Sequence, residues 1–124
     1  MRTLAAFSIT ILLTLLFTML EPWWLIALAS FIPCLILVNK LSYGFIIGFF
    51  SVFFCWFIST YIINYLNDGI LAAKIASIIG VQKPLILMII SSIAGAIIAG
   101  LGGMLGASLH GVVMRPRKPK NKYI

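Results

Sequence analysis

Residues 91–111 read SSIAGAIIAGLGGMLGASLHG. Gly95, Ala99, Gly103, Ala107 and Gly111 recur at every fourth position, Gly102 and Gly106 stand beside them, and the stretch contains no Asp, Glu, Lys or Arg. Small residues at that spacing let two membrane helices approach backbone to backbone. Steps of four overshoot the helical turn by about 40° each, so the small face wraps through roughly 160° between Gly95 and Gly111. A surface that wide can serve two neighbours, one of them the aromatic segment that precedes it. The stretch therefore reads as an assembly surface, not a reactive one.

The composition around it agrees. The chain has 124 residues, of which 63% are hydrophobic and only 9% charged, with a mean hydropathy of +1.20. That is outside the range of a soluble globular domain and indicates an integral membrane protein. The net charge of +7 does not call for nucleic acid, because the bases lie mostly outside the apolar segments. Cys34 and Cys55 fall inside apolar segments, without CxxC or Cys/His spacing, and read as small apolar side chains.

Four apolar segments emerge, at about residues 4–20, 23–38, 43–66 and 84–114. They predict an all-α membrane protein of four transmembrane helices in two hairpins, a single domain over residues 1–114. The first segment is too long for the apolar core of a signal peptide, and Trp23-Trp24 stand just before the cleavage-like Ala27-Leu28-Ala29. It is therefore read as a span. Glu21-Pro22 closes a tight hairpin, after which Trp23 and Trp24 are interfacial anchors at headgroup level. Thr10, Thr14 and Thr18 share one side of the first span, and Ala27, Ser30 and Cys34 one side of the second. Both sides are expected to face the bundle.

The third segment is crowded with rings, yet Gly44, Gly48, Ser51, Cys55 and Ser59 keep one face free of bulk. That face is the expected partner of the glycine ladder. Asn67-Asp68-Gly69 signals a turn. Residues 70–80 then carry Leu71, Ile75, Ile78 and Ile79 on one side and are too short to span, so they read as an interfacial helix. The last segment exceeds a hydrocarbon core of about 30 Å and must tilt, protrude or break, with Gly100 to Gly103 the least costly place to break.

Residues 115–124 form a mobile basic tail. Its Arg115, Arg117, Lys118, Lys120 and Lys122, with Arg2 and Lys40, fall on one side of a four-span threading, and Lys74 and Lys83 on the other. The positive-inside rule then puts both termini in the cytoplasm, with the tail bases serving as a topology signal or contacting lipid headgroups. Glu21 and Asp68, the only acids, are external, whereas His110, the only histidine, is at the cytoplasmic end. No acid/base pair can form across the bilayer. No catalytic residue, cofactor or metal is implied, and the glycine run lacks the Lys-Ser/Thr ending of a phosphate loop.

The order Pro22-Trp23-Trp24, an aromatic span with Gly48-Phe49 and Trp56, the run from Asn67 to Ala76 and a glycine-rich last span with a basic end resembles a group of small four-span bacterial inner-membrane proteins. The resemblance implies the span count and a bacterial cytoplasmic-membrane location, and it carries no activity, substrate or site. The expected function is non-enzymatic: an accessory or scaffold subunit, or a homo-oligomer, assembled through small-residue faces. Its partners are then the lipid bilayer and another membrane protein or identical copies, with no nucleic acid and no identifiable small-molecule substrate. The alternative is a holin-like pore or small-solute channel whose lumen is lined by the glycine ladders of several copies. A Gly/Ala lumen, however, is poorly suited to replace an ion's hydration shell.

Overall fold

The computed structural model describes residues 1–20 and 22–114. It contains five helices: α1 (Arg2–Thr18), α2 (Leu25–Leu37), α3 (Leu41–Leu66), α4 (Ile70–Ile79) and α5 (Pro84–Val113), with no strand among the described residues. Two helices, α3 and α5, are long and apolar enough to cross a membrane. The expectation of four full-length spans is corrected to that extent. At 1.5 Å per residue α1 is about 26 Å long and α2 about 20 Å, against about 39 Å for α3 and 45 Å for α5.

The shortness of α2 has a local cause. Pro22, Trp23 and Trp24 do not enter the helix but form a turn, in which the Leu25, Ile26 and Ala27 N–H groups donate to the carbonyls of Pro22, Trp23 and Trp24. At the other end Val38 is extended, with φ −117° and ψ 126°. α3 then starts directly after Lys40, itself extended. Trp23 and Trp24 are 65% and 54% exposed, as rings at a headgroup boundary would be.

The helices are arranged as a four-cornered bundle in the cyclic order α1, α2, α5, α3. α5 packs on α3 and α2, α1 packs on the same two helices, and α1 and α5 do not touch. α3 runs antiparallel to α5, since Gly44 lies at Gly103 and Trp56 at Gly95. α2 runs parallel to α5: Ala27 lies at Gly102, Phe31 at Gly106 and Leu35 at His110. The two matched ladders each advance by four, which keeps them in step along the contact. α2 covers only the C-terminal part of α5, and the opposite end meets α4.

The core between these helices mixes small side chains with a few β-branched ones. Ala6, Cys34, Val38, Ile47 and Ala107 form one cluster, and Ile26, Val52 and Ala99, covered by Trp56, form the other. Large apolar residues, including Leu12, Ile36, Ile58, Leu101 and Leu105, point outward. This inversion of the soluble pattern is what a lipid exterior favours, because outward Leu and Ile need no shielding from tails as apolar as themselves.

α5 is one unbroken helix through Gly100 to Gly103. Those glycines are held on both sides by neighbouring helices, which offsets their low helix propensity. α4 lies between two left-handed glycines: Gly69 at φ 71° precedes it and Gly80 at φ 83° ends it. The Val81 N–H donates to the Ala76 carbonyl across that end, a closure that needs the left-handed residue.

Both thiols are enclosed, Cys34 fully and Cys55 nearly so. Maleimide labelling of the protein in its membrane is expected to leave both cysteines unmodified until detergent denaturation, when two labels per chain appear by mass spectrometry.

Candidate functional site

The helices approach backbone to backbone where α2, α3 and α5 meet. A Cβ placed on Gly44 would stand 2.5 Å from the Gly103 carbonyl oxygen and 2.8 Å from Ala107 Cβ. Conversely, a Cβ on Gly103 would collide with the Gly44 carbonyl and stand 3.3 Å from Cys34 Sγ. Each glycine thus occupies the space the other's side chain would need. The Cys34 thiol points at the same Gly44 carbonyl, 3.9 Å away.

The contact extends in both directions. On α3, Gly48 lies against the Ala99 carbonyl and Gly100, while the Phe45 ring covers Gly100. On α2, Gly102 faces Ala27 and Ser30, and Gly106 faces Phe31, Cys34 and Leu35. Ser30 donates from Oγ to the Ala99 carbonyl at 2.6 Å, the one side-chain hydroxyl among the described residues that bonds across helices. Ala99 and Ala107 are buried between the two partners. Further along, Gly95 takes the face of the Trp56 ring, with a Cβ there 2.7 Å from the nearest ring carbon.

The small face of α3 does not act as one unit. Gly44 and Gly48 meet α5, but Cys55 reaches toward α1, with Sγ 4.0 Å from the Ile11 carbonyl. Eleven residues carry the helix from Gly44 to Cys55, within about 20° of three full turns, so the small face stays aligned and it is the neighbouring helix that changes along it. Ser51 is fully buried between them, and its Oγ has no partner. Gly111 lies outside the packed surface: nothing is within 4 Å of where its Cβ would stand. The tail residues Arg115, Arg117, Lys118, Lys120 and Lys122, and Glu21 in the hairpin, fall outside the described residues.

The threonines of α1 are turned in on their own helix. Thr10, Thr14 and Thr18 donate to the carbonyls of Ala6, Thr10 and Thr14 at 2.7–2.8 Å, and Ser92 does the same to Met88 on α5 at 2.8 Å. Hydroxyls satisfied in this way are tolerated in an apolar core and are not available for chemistry.

Two cavities lie at opposite ends of the bundle. One, of about 310 Å³, sits between α3, α4 and α5 with Asn64, Leu71, Ile75, Met88 and Ser91 in its wall. The other, about 280 Å³, is bounded by Arg2 of α1, Ile36 and Leu37 of α2, and His110 and Met114 of α5. His110 is only 6% exposed, and its Nδ1 is 2.7 Å from the Leu35 carbonyl. A carbonyl only accepts, so Nδ1 carries the proton. Sequence reasoning leaves His110 as an isolated interfacial side chain. The match of its position to Leu35 becomes visible only once α2 is laid parallel to α5.

Among the described residues no group of three His, Cys, Asp or Glu comes together as a metal site. Bulk on the packed glycines is expected to destabilise the fold. Gly103→Leu forces α5 away from both neighbours and is expected to cost about 3 kcal/mol or more, read as lower thermal stability in detergent. Gly111→Leu, which points into open space, is expected to leave that stability unchanged. Ser30→Ala is expected to cost about 1 kcal/mol or less. Compared with family models, curated proteins and solved structures, the chain matches none.

Proposed function

We propose that this chain is a non-enzymatic protein of the bacterial cytoplasmic membrane that works by association, as an accessory or scaffold subunit or as a homo-oligomer. All four of α1, α2, α3 and α5 cross in this reading, α1 and α2 as short spans that thin the bilayer locally or draw on Trp23 and Trp24 at its boundary. α4 lies along the surface, its exposed Leu71, Ile75, Ile78 and Ile79 entering the headgroup boundary. Arg2 and Lys40 belong to one end of the bundle and Lys74 and Lys83 to the other, which supports a threading with both termini, and hence the tail bases, in the cytoplasm.

One observation carries the association reading, and it moves the surface. The α5 ladder is taken up by α2 and α3 of the same chain, so it is not free for another protein. Beside that contact α3 carries a half-buried ladder of stacked rings with an exposed flank. Phe45, Phe49, Phe53 and Phe57 stack at centroid distances of 5.8–6.2 Å, and Phe50 and Phe54, alongside them, are 44% and 48% exposed. Rings already ordered by stacking give up little freedom when a second helix packs on them. A pore lined by α5 would instead require that helix to leave both of its partners.

The test is association in the membrane. Phe50→Ala with Phe54→Ala is expected to reduce the crosslinked or native-gel complex to the monomer while leaving thermal stability within about 0.5 kcal/mol, as for surface changes generally. A wild-type protein that is already monomeric in its own membrane contradicts the proposal. So does leakage of dye from liposomes at high protein density.

A further inference from the structure

The end of the bundle that holds Arg2 and His110 has features that the association reading does not use. We propose that Arg2 and His110 form a binding site for a phosphoryl oxyanion, supplied by a phospholipid headgroup or by a soluble phosphate compound. Three observations carry it. The first is a cavity of about 280 Å³ whose wall brings together Arg2 from the first turn of α1 and His110 from the last turns of α5. These two residues are separated by most of the chain, and they come from helices that do not pack on each other.

The second is the way His110 is held. A polar side chain 6% exposed, fixed by an Nδ1–H bond to the Leu35 carbonyl of a different helix, has its ring orientation determined by the fold. With Nδ1 committed, Nε2 is the remaining polar atom. It accepts a hydrogen bond when the ring is neutral and donates one when the ring is protonated.

The third is charge. The residues lining the cavity are Arg2 from α1, apolar Ile36 and Leu37 from α2, and His110 and Met114 from α5, with no acid among them. Lys40 stands at the same end of the bundle. The local field therefore favours an anion. Arginine offers a planar fork matched to phosphoryl oxygens, and basic pockets between membrane helices on the cytoplasmic side suit lipid head groups. In this arrangement the Arg2 guanidinium donates to two oxygens, the His110 ring lies beside a third, and Ile36 and Leu37 face the apolar part of the ligand. No bond is made or broken.

The experiment uses the full chain purified in mild detergent, freed of lipid and returned to nanodiscs containing phosphatidylglycerol in a phosphatidylcholine background. Native mass spectrometry counts the phosphatidylglycerol retained. Arg2→Gln is expected to lower retention at least about fivefold, and His110→Phe to do the same. Lys40→Gln, which removes a charge from the same end but not from the cavity, is expected to leave retention unchanged. Arg2 sits in the exposed first turn, so its variant keeps the test informative if His110→Phe fails to fold. Inorganic phosphate at 10 mM identifies the source: unaffected retention means a lipid headgroup, and displacement means a soluble phosphate competes for the same groups. Unchanged retention in Arg2→Gln overturns the proposal. An equal loss in Lys40→Gln also overturns it, because the attraction would then belong to the whole basic end and not to a site.

Discussion

The mutual approach of Gly44 and Gly103 is the contact on which the bundle depends. In a lipid environment the hydrophobic effect does not draw helices together, since an apolar side chain is as well solvated by tails as by another helix. What remains is close packing, and close packing of backbones requires that side chains be absent on both sides of the contact. At Gly44 and Gly103 each carbonyl stands where the other's Cβ would be. The Cα hydrogens and carbonyl oxygens of the two helices can then meet directly, a weak attraction that accumulates along an interface. Cys34 reaches the same point from α2, so one place joins three helices.

This constraint accounts for the distribution of everything else. Because α5 is enclosed on two sides by backbone, most of its bulky residues are turned outward, and its buried face is mainly Gly and Ala. Such an interior has little capacity for chemistry. Its hydroxyls, Ser51 apart, are bonded to carbonyls, mostly of their own helix. The polar groups with freedom to act are at the two ends, where helices of unequal length leave cavities. The short α2 shapes this arrangement: it stops where Trp23 and Trp24 turn the chain at one end and where Val38 extends it at the other.

Much of the architecture is legible in the residues. The four-residue repeat of Gly95, Ala99, Gly103 and Ala107, broadened by Gly102 and Gly106, announces a face for two neighbours, and the chain supplies both itself. Gly80 and the Asn67-Asp68-Gly69 turn mark the ends of α4 within one residue. Helix length was harder to read. An apolar run shows which residues tolerate lipid, not where the backbone stops being helical, so residues 23 and 24 look like helix and are turn. Spacing likewise cannot decide which neighbour a face meets. Cys55 continues the small face of Gly44 and Gly48 in sequence, but at that level of the bundle its thiol reaches α1. The pairing of His110 with Leu35 depends on α2 and α5 running parallel, a tertiary fact with no local signal.

The account stands most directly on the approach of Gly44 to Gly103 within a single chain in a bilayer. Solid-state NMR of protein carrying carbon-13 at glycine Cα and carbonyl positions, reconstituted in lipid, measures it without altering the contact. A Gly44–Gly103 cross-peak is expected, undiminished when labelled chains are diluted into an excess of unlabelled ones. Absence of the cross-peak, or its loss on dilution, would contradict an intramolecular glycine contact and return the α5 ladder to the interface between chains.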